Sequence, residues 1–252
     1  MITTYPFTEA PQIRLQNNPH NPPNDATLEQ VNTIWQQEQA KRKAENRQPL
    51  FNGELFCVDD YDDNTLVGHR TEYRFWVAQF LQPQLYAQLN IRPLAVSGLV
   101  RCRDGIVFGK RSLSNTTGAG LWELIPSGGV DTQAYHAGEL VNVAQQIQLE
   151  FHEETGCDPQ WLDKITPLCL MENHITHSMD IGLLLSASQL TFAELQKQHK
   201  GTHFEYTELQ LVVEPQLADY IEQQGPHLVA GSAALAKHWM HYVKGNDALR
   251  ID

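Results

Sequence analysis

The segment that most constrains the fold is Leu149-Glu150-Phe151-His152-Glu153-Glu154-Thr155-Gly156-Cys157. It predicts the last turns of a helix that stops at Gly156, because glycine takes the left-handed conformation that closes a final turn. At ~100° per residue, Glu154 lies about 40° from Glu150 and Glu153 about 60° to the other side, so the three acids share one sector. Glu150 and Glu154 form a repulsive i,i+4 pair unless a cation sits between them. A hard, oxygen-seeking ion such as Mg2+ or Mn2+ would relieve that repulsion. A solvated acidic helix face is the commoner explanation of three glutamates alone.

The upstream context shifts the balance. Leu121-Trp122-Glu123-Leu124-Ile125 is a strand-like run broken by Pro126-Ser127-Gly128-Gly129. A strand, a glycine bend and an acid-tipped helix would set backbone amides and carbonyls beside the carboxylates.

This arrangement resembles the Nudix hydrolase family, whose signature is G-x5-E-x7-R-E-U-x-E-E-x-G-U with U aliphatic. Glu150, Phe151, Glu153, Glu154, Gly156 and Cys157 take matching places, and Leu149 stands where the family has arginine. With Gly129 opening the box and Glu139 as its first glutamate, nine residues lie between them, and nine more between Glu139 and Leu149. Both gaps exceed the signature, and an enlarged loop near Asp131–Ala137 with a longer helix would absorb the excess at small entropic cost. Leu149 cannot donate the hydrogen bonds by which the family's arginine orients its glutamates.

The resemblance implies an α+β fold, a Nudix α/β/α sandwich with a mixed sheet over residues 92–252, preceded by a smaller α/β segment over residues 1–91. It also implies Mg2+- or Mn2+-dependent hydrolysis of a nucleoside diphosphate linked to a group X, giving a nucleoside monophosphate and phosphorylated X. Glu150, Glu153 and Glu154 are then the catalytic and metal-binding residues, with Glu150 doubling as base. Ser127, Gly128 and Gly129 would bind substrate through the backbone. Lys110 and Arg111 would face its phosphates, although positive charge guarding an edge strand explains them equally well. Residues 50–79, including Thr71-Glu72-Tyr73-Arg74-Phe75, look loosely like the N-terminal segment of UDP-sugar-cleaving members, which makes a UDP-sugar the first expectation and ADP-ribose the second. The segment would cap the site of its own chain or, in a homodimer, its partner's.

Composition narrows the alternatives. A formal net charge of −12 over 252 residues leaves no basic stripe for nucleic acid, so no nucleic-acid partner and no RNA-decapping activity are expected. Cys57, Cys102, Cys157 and Cys169 lack metal or disulfide spacing and read as buried free thiols. No basic-then-apolar leader and no long apolar run occur, which reads as a cytoplasmic protein without membrane contact. Two rivals stay open: a catalytically silent Nudix fold that binds a nucleotide, favoured by Leu149, and a Nudix-fold isomerase.

Along the chain, a helix capped by Asp25 is expected to Glu45, then strands over Pro49–Val58 and from His69 through Tyr73, Phe75 and Val77, separated by an acidic turn at Asp59–Asn64. Leu94–Cys102 and Ile106–Arg111 form a hairpin across Asp104-Gly105. Two further strands, Leu168–Asn173 and Met179–Leu185, flank His174 and His177, read as a polar lining of the substrate mouth. Glu205, and less so Glu208, are candidate additional acids ahead of a strand at Leu209–Val213. Trp122, Tyr73, Trp76 and Phe75 are available to stack a base, though core packing is the commoner use of such residues. Helices at Gln216–Gln224 and Ser232–Val243 close the chain.

Overall fold

A computed structural model describes residues 1–16, 23–131, 134, 140–199 and 205–245. Glu139 and most of the enlarged loop lie outside the described residues. The fold is α+β with a mixed central sheet. Its strands are β1 (Ile2–Pro6), β5 (Leu94–Cys102), β6 (Gly105–Arg111), β7 (Trp122–Leu124), β8 (Ser127–Gly129), β9 (Lys164–Asn173), β10 (Met179–Ala187) and β11 (Tyr206–Val212). The main path runs β1-β9-β10-β5-β6-β11, with β7 on β6 and β8 on β5. Only the β10–β5 pair is parallel; the others described are antiparallel.

Alternation along the central strands builds a core on each face. Val96, Val100, Ile181, Leu183 and Leu185 pack toward Ile147 and Phe151 of α4 (Val143–Thr155) and Leu195 of α5 (Phe192–His199). Leu99 and Leu184 pack the other way, with Leu217 and Ile221 of α6 (Leu217–Gln224) and Leu235 and Trp239 of α7 (Ala230–Gly245). This is the expected α/β/α sandwich.

A smaller sheet, β2 (Gln12–Gln16), β4 (Thr65–Glu72) and β3 (Glu54–Asp62), carries α1 (Asp25–Ala44), α2 (Tyr73–Leu81) and α3 (Tyr86–Leu89). Its Phe56, Val58 and Leu66 join the main core, whereas Cys57 faces Val31, Ile34 and Ala78 of the helices. The small sheet is therefore shared by two cores. From the same N-terminal stretch, β1 pairs with β9 as an edge strand of the main sheet.

Several local expectations need correction. Asn24, rather than Asp25, caps α1: its side chain accepts from the Thr27 amide at 2.9 Å, and Asp25 begins the first turn. Residues 73–81 are helical rather than extended. Tyr73, Trp76, Val77 and Phe80 recur at i, i+3, i+4, i+7, and that period, compatible with the local alternation, is the one adopted; Val77 is buried, and Ala78 packs with Val31 and Ile34 of α1 and Leu89 of α3. The acidic run extends β3 to Asp62, so the turn is only Asp63-Asn64. The later hairpin closes over Arg103-Asp104, with Gly105 paired to Cys102. All four cysteines are buried and free. Among the described residues, no helix is long and apolar enough to cross a membrane.

On the α7 face of β10, Asp180 is held by Ser97, whose Oγ donates to Oδ1 at 3.2 Å. Burial pushes its carboxyl up to about 6, against the pull of Ser97. The folded chain therefore keeps a proton that the unfolded chain loses near pH 4, so this residue's contribution to stability falls as pH rises from about 4 to 6 and is flat above. Asp180→Asn is expected to be more stable than wild type by about 1–3 kcal/mol at pH 7–8, a gain that shrinks toward zero near pH 4. Urea melts of both proteins across that range measure it; a gain independent of pH would contradict the assignment.

Candidate functional site

The bend after β7 and the C-terminal half of α4 meet at one place. Asn142 caps α4, accepting from the Gln145 amide at 3.1 Å, and Gly156 ends it at φ 72°, its amide bonded to the His152 carbonyl at 2.8 Å. The bend enters through a cis Ile125–Pro126 bond. β8 then pairs Ser127 and Gly129 with Ser97 and Ala95, and α4 lies across β8 and β5.

Of the three expected acids, Glu154 is buried, Glu150 is half-buried and Glu153 is exposed. Glu154 accepts from the Ser127 amide, which lies 3.2 Å from both carboxylate oxygens. Glu150 accepts from Gln146 Nε2 at 2.8 Å, one turn earlier on α4. A Cβ built on Gly128 would overlap the Glu150 carboxylate, so that carboxylate occupies the space a side chain would fill. Nothing comparable surrounds Gly129, which is exposed.

From the sheet side, five polar residues complete the cluster. Tyr206 of β11 donates to Glu123 Oε1 at 2.9 Å, and Arg111 Nη1 pairs with the same oxygen. Arg111 Nη2 stands 3.7 Å from Glu205 Oε1, and its Nε donates to the Thr117 carbonyl at 3.1 Å. Asn115 Nδ2 donates to Glu205 at 3.2 Å. Lys110 points to the opposite face of β6, 3.9 Å from Glu208 and over the Trp122 ring. The structure thus brings Ser127 and Gly128 to Glu154 and Glu150, sets Arg111 against Glu123 and Glu205, and leaves Lys110 apart. His174 is bonded to Thr3 at 2.7 Å and His177 stacks on Tyr86, 3.5 Å between centroids.

These carboxylates are electrostatically coupled. Burial, then Glu205, Glu123 and Glu150, hold the Glu154 carboxyl well above the usual range. Burial pushes Glu150 up to about 7, opposed by Gln146 and reinforced by Glu153, Glu205 and Asp131. Burial raises Glu123 against the pull of Arg111 and Tyr206, and raises Glu205 against that of Arg111. The cluster holds four acids and one guanidinium, which pairs with Glu123 and Glu205 only, and this leaves net negative charge in a half-buried place. In charge and in all-oxygen donor chemistry this set fits a divalent cation. Among the described residues, no group of three or more His, Cys, Asp or Glu forms a ready-made cage, so the side chains would have to draw inward to share an ion.

Glu123 and Tyr206 were not singled out from the sequence. A lone glutamate inside the apolar run Leu121–Ile125 is the signal that marks the first, since a buried acid needs a partner. Arg111, the cation that pairs with Glu123 and Glu205, comes from β6 and not from the position of Leu149.

No family model matches the chain, and no curated protein does. Solved structures do resemble its fold. A Deinococcus radiodurans protein, DR0079, is 15% identical over 73% of this chain and 97% of its own, with a TM-score of 0.46. The MutT protein of Methanosarcina mazei Go1 is 18% identical over 61% and 96%, with a TM-score of 0.41. The NUDIX domain of Shewanella oneidensis NrtR, solved with ADP ribose, is 15% identical over 64% and 98%, with a TM-score of 0.44.

Proposed function

We propose that this chain hydrolyses the diphosphate bond of a nucleoside diphosphate linked to X, with a UDP-sugar as first substrate and ADP-ribose as second. The observation that carries the reading is the seating of Glu150 and Glu154 on the Ser127–Gly128 bend, with no room at Gly128 for any side chain. An idle acidic helix gains nothing from burying like charges beside one another. Glu150 and Glu154, joined by Glu153 and Glu205, would hold Mg2+ or Mn2+. When bound, such an ion supplies positive charge to phosphate oxygens.

The chain's own groups do the rest. The Ser127 amide orients Glu154, and Gln146 orients Glu150, so both carboxylates rest beside the bend. Glu150, held by Gln146 beside the Gly128 bend, is the group suited to take a proton from an attacking water. Arg111, anchored by Glu123 and the Thr117 carbonyl, keeps Glu205 beside the cluster and takes the orienting part that Leu149 cannot.

Leu149 favours the second reading, a fold that binds nucleotide without turning it over. One assay separates the two. The purified chain, incubated with NDP-sugars, ADP-ribose, dinucleoside polyphosphates and NADH, is expected to release nucleoside monophosphate only when Mg2+ or Mn2+ is present. Binding without release across the whole panel would leave the silent reading standing and remove the hydrolase.

A further inference from the structure

We infer that a cleft between the N-terminal helices and the β6–β7 loop is the subsite for the base of the nucleotide, so that the N-terminal segment sets specificity within its own chain. The inference rests on the nucleoside diphosphate reading and adds to it the place and the residues that recognise the base. The cleft measures ≈ 390 Å³, within the range of small-ligand sites. Phe51, Tyr73 and Trp76 line one side, Asn115 and Thr116 the other, and Arg111 and Glu205 also border it.

Three observations point to a flat heterocycle. Phe51 is 85% exposed, a large apolar ring at the border of this cleft with little protein covering it. Tyr73 and Trp76 lie 5.4 Å apart at 38°, Trp35 meets Tyr73 edge-on at 6.4 Å, and Phe80 stacks under Trp76, so the rings are held and not free to collapse into the cleft. The Trp76 indole N–H is buried with no acceptor among the described residues, and the Trp76 side chain borders the cleft, so a polar group is left unsatisfied beside it.

The two walls are tied together. Arg42 of α1 donates from Nη2 to Thr116 Oγ1 at 3.1 Å and from Nε to Glu38 at 3.0 Å, and Tyr73 O–H donates to Thr116 at 3.5 Å. The cleft therefore has a defined width. Because Arg111 and Glu205 belong both to it and to the acidic cluster, a base held there leaves its phosphates directed at Glu150 and Glu154. Stacking on aromatic side chains is worth ~1–3 kcal/mol per base, enough to favour a nucleotide over its baseless counterpart.

The test uses the whole chain and two readouts. By calorimetry, wild type is expected to bind a nucleoside monophosphate about tenfold or more tightly than ribose 5-phosphate. Phe51→Ala, at an exposed position, should erase most of that preference and raise KM by a similar factor with kcat within about twofold. Ser114→Trp, which grows an indole from an exposed residue into the cleft, should do the same without touching the core. Equal binding of the two ligands by wild type, or unchanged affinity and KM in both variants, would overturn the assignment. Hydrolysis with unmoved KM in both variants removes the subsite and leaves the hydrolase. Base-dependent binding lost in both variants, with no turnover in wild type, removes the hydrolase and leaves the subsite.

Discussion

Gly128→Ala is expected to lower kcat/KM by ~100-fold or more while leaving stability within about 1 kcal/mol of wild type. The added methyl would meet the Glu150 carboxylate, and that carboxylate is the far end of a flexible side chain, so it swings aside at little cost to the fold. Gly128 is not among the residues with positive φ, so alanine fits its backbone, and the reduced freedom of the unfolded chain offsets part of the lost packing. What is lost is position. Glu150 would leave Gln146 and the neighbourhood of Glu154, and misplacement of about 1 Å at such a group is costly in rate. Gly129→Ala is the control: nothing lies near a Cβ there, and it should keep most of the activity. Loss of activity in both variants alike, or unfolding of Gly128→Ala, would show that the bend serves structure and not the carboxylates.

Glu154→Gln is expected to lower the rate by ~100-fold or more and at the same time to raise the melting temperature. The two effects share one cause. Glu154 is 4% exposed, and burial together with Glu205, Glu123 and Glu150 disfavours its charge. A neutral amide of the same shape removes that penalty and still accepts from the Ser127 amide. It also removes a charged oxygen donor from the place proposed for a divalent ion. Thermal melts without divalent salt, beside initial rates with Mg2+, test both halves. A variant less stable than wild type and fully active would mean that the carboxylate is structural. Glu153→Gln, at an exposed position, should cost less stability in either direction, and its effect on rate measures how far Glu153 is drawn in when an ion binds.

Much of the site was readable because its signals are local. The stop at Gly156, the spacing of Glu150, Glu153 and Glu154 and the glycine bend before them each act over a turn or two of chain. Glu205 came within view only as an acid near the right place. Glu123 and Tyr206 take their importance from Arg111, a strand away, which spacing within one element does not show. Residues 73–81 misled for another reason: their apolar residues satisfy a period of 2 and one of 3.6, and only packing against α1 decides between them. The cap at Asn24 differs from the expected Asp25 by one residue, within reach of either side chain.

By itself, then, the amino-acid sequence determined the acid-bearing helix and the bend it faces, since these follow from residue spacing within single elements, and the α+β sandwich is what its resemblance to a known family implied. Tertiary structure decided which of the three helix acids is buried, that Arg111 stands against Glu123 and Glu205, and that Phe51, Tyr73 and Trp76 border a cleft with them. Burial, pairing and the walls of a cavity are made by residues brought together from distant parts of the chain. No local pattern encodes those distances, because they are set by how two cores share one small sheet.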